Sequence, residues 1–443
     1  MGSIIGTIVA FAIVFGILVF VHEFGHFFIA KLMGIRVEVF SWGYGKRLVG
    51  VKKGETDYRI SLIPMGGYVK FTGEDFSEQD KADDPRSFMA KKRWQRFLVL
   101  FMGSAMNLFL AVALLAFINM VGVSEPAYQE KAPVIGYIEP GSPAAKADFK
   151  VDDRILGIEG KKMESWSDVE MMIQTKPDRT LQTKVKRNGK TLTVPLNTGS
   201  RTKYEMGYAG FFAKIKAQIQ KVQPDSPAQK AGIKPGDMIL AANGQPVYLY
   251  QLQEIIKNNP GKELQLRIQR GKEKLTLEVI PKKEKGNVKI GVVFSPHTEI
   301  KKYGFFSAFV QSVNRNIEIT IMVFNFIEDL FTGEASTRQL GGPIAIANFS
   351  YTAFQMGFMA MVGWIAIISL NLGIINLFPI PVLDGGQIFV LMFEGLLRRD
   401  FSPKVKQIVM QIGFVIFIFL IVFVVLNDLV KMLPQGWESL IPW

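Results

Sequence analysis

His22, Glu23 and His26 stand together in "GILVFVHEFGHFFIAK", residues 16–31 of a 443-residue chain with one other histidine, His297. Being four residues apart, His22 and His26 share one face of an α-helix, and their ring nitrogens can grip a single ion. Neutral imidazole suits zinc. A catalytic zinc takes three protein ligands and leaves one position open, where a neighbouring carboxylate such as Glu23 can deprotonate water. H-E-x-x-H on a helix is the spacing at which zinc metalloproteases do this. Gly25, between the histidines, leaves room for a neighbouring helix. A blander reading has the three polar residues ending a helix and snorkelling toward water. Their flanks oppose it: about 18 apolar or small residues come before His22, roughly 27 Å of helix, and "FFIA" follows His26. Ionisable groups held between apolar flanks mark function.

Two histidines leave such a site one ligand short. His297 sits near the end of a long external segment and reads as a surface loop residue. "NLFPIPVLDGG", residues 376–386, offers the carboxylate of Asp384. Taken alone, Asp384-Gly385-Gly386 is also an ordinary turn signal, and both readings stand. Pro379 and Pro381 break the helix before it. Within a membrane such a break is tolerated only where protein or a water-filled cavity satisfies the freed backbone groups.

Four apolar blocks must position these residues: 4–28, 97–123, 358–378 and 408–426. Each supplies the ~20 residues that a helix needs to cross a bilayer. The first has no basic residue before it and exceeds the ~7–15 residues of a signal-peptide core, so it reads as a retained span. The chain has no cysteine, which excludes disulfides and thiolate ligands. A net charge of +13 would suit nucleic acid in a soluble protein. Here Lys91, Lys92, Arg93 and Arg96 precede the second block, and Arg398, Arg399, Lys404 and Lys406 the fourth, which reads as an orientation signal. It places 34–96 and 379–406 in the cytoplasm, with both termini and the segment 124–357 outside. The first and third spans then run in the same direction, so Asp384 arrives at the depth of His22 and His26. Gln311, Asn314, Arg315, Asn316 and Glu318 interrupt 305–331, which reads as an amphipathic helix at the interface.

"IEPGSPAAKADFKVDDRIL" at 138–156 returns as "VQPDSPAQKAGIKPGDMIL" at 222–240, so one folded unit occurs twice. Both copies resemble PDZ domains, the second closely; the first has Asp148-Phe149 and Val151-Asp152 where Gly-Ile and Pro-Gly are usual. Between the first two spans, "YRISLIPMGGYVKFTG" at 58–73 alternates as a hairpin does around Met65-Gly66-Gly67, yet its turn is apolar.

The expected fold class is a polytopic α-helical membrane protein: four transmembrane helices, a membrane-associated β-hairpin and two extracytoplasmic PDZ domains (α+β). Its expected layout is a first span over 1–33, a cytoplasmic segment over 34–96 with the hairpin at 58–73, and a second span over 97–123. PDZ domains follow at 128–200 and 201–296, an amphipathic helix and linker at 303–355, spans at 356–386 and 405–430, and a tail at 431–443.

With "HEFGH", "NLFPIPVLDGG", the tandem repeats and the four spans, the chain resembles the site-2 protease family of intramembrane zinc metalloproteases over nearly its whole length. The resemblance implies that His22, His26 and Asp384 hold Zn2+, that Glu23 is the general base, and that Asn376, Pro379 and Pro381 help hold the substrate. It implies that the hairpin dips into the membrane, its Gly66-Gly67 stretch and edge pairing with extended substrate. The family's Gly-Pro-x-x-Asn pattern reads "GSAMN" here, Gly103 to Asn107, with Ser104 for proline and Asn107 kept as a contact to the reaction site. Implied partners are the lipid bilayer and single-span proteins already trimmed outside, such as an anti-sigma factor, and remnant signal peptides; nucleic acid is not among them. The implied location is the bacterial inner membrane, with the active site toward the cytoplasm. The PDZ pair either filters substrates by size or binds peptide C-termini. Two rival readings are a metal or proton transporter and a PDZ adaptor with a structural metal.

Overall fold

The computed structural model describes residues 2–74, 84–201, 205–284 and 287–431, so the expected tail beyond Lys431 lies outside the described residues. The chain divides into two compact units, one of residues 1–122, 302–327 and 340–443, the other of 123–301 and 328–339. The first begins with helix α1 (Gly2–Leu32), apolar around its whole circumference. Ala10, Val14 and Leu18 are buried, whereas Ile4, Ile8, Ile13 and Phe20 are exposed, as a helix facing lipid requires.

Strands β1 (Val37–Lys53) and β2 (Thr56–Phe71) follow. The expected hairpin at 58–73 is thereby corrected: the sheet starts at Val37, and its tight turn lies at Gly54-Glu55 instead of Met65-Gly66-Gly67. Gly54 takes a left-handed φ of +63° there. Val39, Phe40, Ser41 and Trp42 each have two partners: Lys70, Val69, Tyr68 and Gly67 on one side, Asp57, Tyr58, Arg59 and Ile60 on the other. The order across the sheet is therefore 49–53, 56–60, 37–42 and 67–71, which leaves 67–71 as an edge among the described residues. Alternation was present on both sides of Gly54, and periodicity alone could not choose the register. Helix α2 (Arg93–Val121) packs on α1 at Gly25, where a β-carbon would meet the Met102 carbonyl at 2.4 Å.

The second unit holds the repeat. Its first copy comprises β3 (Val123–Pro126), β4 (Ile135–Ile138), α3 (Pro143–Lys146), β5 (Arg154–Ile158), β6 (Lys161–Lys162) and α4 (Trp166–Gln174). It continues through β7 (Thr180–Arg187), β8 (Lys190–Asn197), β9 (Gly199–Arg201), β10 (Met206–Tyr208) and β11 (Phe211–Ala213). The second copy runs through β12 (Ala217–Val222), α5 (Pro227–Lys230), β13 (Met238–Ala242), β14 (Gln245–Pro246), α6 (Leu249–Asn258), β15 (Leu264–Arg270) and β16 (Glu273–Val279). It ends with β17 (Lys282–Glu284), β18 (Asn287–Lys289), β19 (Val292–Pro296) and β20 (Thr298–Lys301).

Strand β11 pairs with β4 just as β19 pairs with β12, so the first copy extends past the expected boundary at 200, to Ala213. Each copy caps its short helix with a serine: Ser142 Oγ accepts from the Ala145 amide and Ser226 Oγ from the Gln229 amide, both at 3.2 Å. Each also buries an aspartate under an arginine, Asp153 with Arg187 at 2.6 Å and Asp237 with Arg270 at 2.8 Å. Strands β20 and β3 pair, Val123 opposite Lys301, so the chain enters and leaves this segment side by side.

Helix α7 (Phe305–Phe331) buries a stripe of Ala308, Ser312 and Asn316, and Asn119 Nδ2 donates to Ser312 Oγ at 3.1 Å. Phe305, Phe306, Phe309 and Val310 are exposed. Where a linker was expected the chain forms α8 (Pro343–Met356), because Gly342-Pro343 starts a helix and Gly357, at φ +105°, stops it. The expected span 356–386 is two helices, α9 (Phe358–Asn376) and α10 (Asp384–Leu396), joined by an irregular stretch carrying Pro379 and Pro381. Proline removes the donor that a continuous helix would need there. Helix α11 (Pro403–Val430) ends the described residues, whose apolar helices α1, α2, α9 and α11 are each long enough to cross a membrane.

Candidate metal centre and active site

The α1 periodicity turns His22 and His26 to one side, and both are buried. Their Nε2 atoms lie 3.1 Å apart. Asp384, first residue of α10, places Oδ2 3.1 Å from His22 Nε2 and 3.3 Å from His26 Nε2. Among the described residues this is the group of three donors drawn close enough to hold an ion. Metal–ligand bonds of about 2.0–2.1 Å in a tetrahedron put donors about 3.3 Å apart, so the triangle has the size that zinc requires. Asp384 Oδ2 is buried with no hydrogen-bond partner. Three lone-pair donors facing one point in an apolar surround repel unless a cation lies between them.

Neighbouring groups hold the imidazoles. His26 Nδ1 donates to the Val99 carbonyl on α2 at 2.8 Å, which leaves Nε2 as the free donor atom. Gly103 makes the approach of α2 possible: a β-carbon there would stand 2.3 Å from His26 Nε2 and 2.8 Å from His22 Cε1. His22 Nδ1 faces two amides, Asn107 at 3.4 Å and Asn376 at 3.5 Å. With Nε2 turned to a metal, Nδ1 carries the proton and needs an acceptor. Asn107, whose buried Oδ1 has no other partner, supplies one when its amide turns over.

Glu23 lies beside His22 on α1, and its Oε2 accepts from the Val69 amide of the sheet at 3.0 Å. That amide is not donated to β1, so it belongs to the outer edge of 67–71. Gly67 lies beneath, with a would-be β-carbon 3.7 Å from Glu23 Cγ and 2.6 Å from the Ser41 carbonyl. Gly66 takes φ +104° against the Tyr44 ring. Glu74, just beyond the sheet, accepts from the Phe71 amide at 3.2 Å. Burial pushes its carboxyl above the usual range, and the nearby Asp384 charge adds to this.

Of the expected substrate-holding residues, Asn376 stands beside His22, Pro379 is exposed, and Pro381 packs on α11, within 2.5 Å of a β-carbon built on Gly413. Ser104 lies in unbroken helix with Oγ buried and unpartnered, so the sequence variation at this position brings no kink. The glycines of Asp384-Gly385-Gly386 do more than turn: β-carbons on them would meet Leu377 and Ile380 backbone atoms at 2.2 Å. His297 belongs to the second unit, its Nδ1 3.3 Å from Gln218 Oε1. The Val99 carbonyl and the Val69 amide left no trace in the sequence, because any residue offers a backbone group. Gly103 was visible as a small residue, but without the partner that makes it necessary.

The family model "Peptidase family M50" matches residues 10–420. The chain is 32% identical to the regulator of sigma E protease of Salmonella typhi, over 96% of this chain and 99% of that one. It is 31% identical to the regulator of sigma-E protease RseP of Escherichia coli K12, over 96% and 99%. With protease RseP of Yersinia pestis it shares 32% identity over 97% and 99%. The match runs nearly end to end and takes in both the helices suited to lipid and the donor triangle, so this chain belongs to peptidase family M50, as a multi-pass membrane zinc metalloprotease.

Proposed function

We propose that the protein hydrolyses peptide bonds within membrane-spanning segments of single-span substrates already trimmed outside the membrane, anti-sigma factors and remnant signal peptides being the classes that the family resemblance implies. His22, His26 and Asp384 would hold the zinc. The ion, when bound, supplies a Lewis acid that activates water and polarises the scissile carbonyl. Glu23 takes the proton from the attacking water and returns it to the leaving amine. A helical span hides its amides, so the substrate must unwind before it can react. The edge 67–71 offers freed backbone groups new partners by strand addition, with Glu23 already bonded to the same edge. Asn107 keeps the His22 ring in register by accepting its Nδ1 proton.

The observation that carries this reading is the position of Glu23 between a donor triangle sized for zinc and an open strand edge. The basic clusters before α2 and α11 support an orientation with the site toward the cytoplasm and the repeats outside. The repeats are read as two PDZ-type modules: in each, a helix (α4 or α6) follows the Asp-capped strand, and β11 or β19 offers an edge to an extended peptide. Glu23→Gln tests the reading. Zinc content should stay at wild-type level while cleavage of a model span in vesicles falls about 10²–10⁴-fold. Undiminished cleavage would remove Glu23 as base, and zinc flux without cleavage would mean a transporter.

A further inference from the structure

A strand edge left unpaired invites any other chain to pair with it, and proteins guard such edges. No strand among the described residues covers the outer side of 67–71, yet its amides are not idle. The Thr72 amide donates inward, to the Arg36 carbonyl at 3.0 Å, so the alternate amides of Val69 and Phe71 face outward. Both are taken by carboxylates. Val69 donates to Glu23 Oε2, and Phe71 to Glu74 Oε2 at 3.2 Å. Gly73, at φ +67°, turns the chain so that a residue three positions beyond Phe71 reaches back to its amide. Glu74 is half-buried, and no lysine or arginine pairs with it among the described residues. Lys70, the nearest basic residue along the chain, pairs with Glu38 at 3.5 Å.

A substrate strand added to this edge must place a carbonyl on each outward amide, about 7 Å apart along the strand, and so displaces both carboxylates. The two are then left differently. Glu23 turns to the attacking water. Glu74 loses the Phe71 amide beside an incoming backbone whose carbonyls repel it, and a half-buried carboxylate without a donor is costly. A lysine or arginine of the substrate meets that need, whereas an aspartate or glutamate worsens it. We infer that Glu74 guards the 67–71 edge in the free protein and, once displaced, selects spans that carry a basic residue within a few positions of the scissile bond. Spans offer such residues at their cytoplasmic ends, the end that the proposed orientation brings to the site. The inference rests on the protease reading and adds to it a charge requirement on the substrate.

The test uses the full-length chain in vesicles of phosphatidylethanolamine and phosphatidylglycerol, with model single-span substrates that carry lysine, glutamine or glutamate singly at each residue flanking the scissile bond. At one or two of these positions the wild type should cleave the lysine substrate about tenfold or more faster than the glutamate one, by kcat/KM. Glu74→Gln keeps an acceptor for the Phe71 amide without the charge, and should bring that ratio close to one. Glu74→Lys should invert it. A merely structural strand end would alter both rates together and leave the ratio alone. The ratio is read within one preparation, so a variant that folds only in part still reports it. Equal cleavage of the three substrates by the wild type, or a lysine preference that survives in Glu74→Gln or Glu74→Lys, would overturn the inference. In either case spans are still cut, which is distinct from a failure of the protease reading, where none is.

Discussion

Gly103 and His26 approach so closely that a single added carbon cannot fit: a β-carbon on Gly103 would lie 2.3 Å from His26 Nε2. Gly103→Ala should therefore displace the metal ligands. The substitution favours helix by about 1 kcal/mol on propensity alone, so weakening of α2 is not the route. Zinc affinity measured by competition with a chelator should fall about 10–100-fold, as when support around a ligand is disturbed. Wild-type affinity would mean that α2 stands further from the histidines.

Val69 gives Glu23 its backbone amide, and proline has none to give. Val69→Pro should leave zinc bound, since no ligand is touched, and lower kcat/KM for a model span at least tenfold by freeing Glu23 and interrupting the edge. Zinc analysis beside kinetics checks this. Equal loss of metal and activity would place the strand's role at the metal instead.

Asp237 supports the second repeat through Arg270. Burial pushes its carboxyl up, but the Arg270 hydrogen bond and the Lys234 amide outweigh this and hold it below the usual aspartate range. A folded pKa below the unfolded one, ~3.9, means stabilisation that is complete above the unfolded value and lost as pH falls through the folded value. Protection factors in β13 and β15, corrected for the intrinsic exchange rate at each pH, should fall on acidification of the wild type. Asp237→Asn should exchange faster already at neutral pH and respond less to acid. Identical profiles would deny the pair that role.

Asp428 on α11 caps α8 from outside its own chain segment: Oδ1 accepts from the Gly342 amide at 3.1 Å and Oδ2 from the Ala345 amide at 3.0 Å. Lys431 pairs with it at 3.1 Å, both side chains buried. Asp428→Ala leaves a buried cation and should cost about 3–5 kcal/mol. Exchange at residues 342–346 should rise more than elsewhere in the first unit. Protection unchanged there would show that the cap is dispensable.

Within 303–355, where an amphipathic helix and linker were expected, local signals at Gly342-Pro343 and Gly357 bound helix α8, but its side-chain cap comes from a residue more than eighty positions away, a contact that no local pattern encodes. The hairpin register was illegible for a related reason: residues on both sides of Gly54 alternate, and which stretch reaches Glu23 depends on where α1 lies against the sheet.

What the sequence by itself determined is whatever follows from period and composition. Apolar blocks long enough for a bilayer, histidines four apart on one helical face, and a repeat in register are properties of neighbours along the chain. Only the tertiary structure decided that a carboxylate 358 positions after His26 comes within 3.3 Å of it, and that Gly103 is the gap through which α2 reaches the site. Such distances arise from packing between helices far apart in sequence, where the position of each side chain depends on all the others at once.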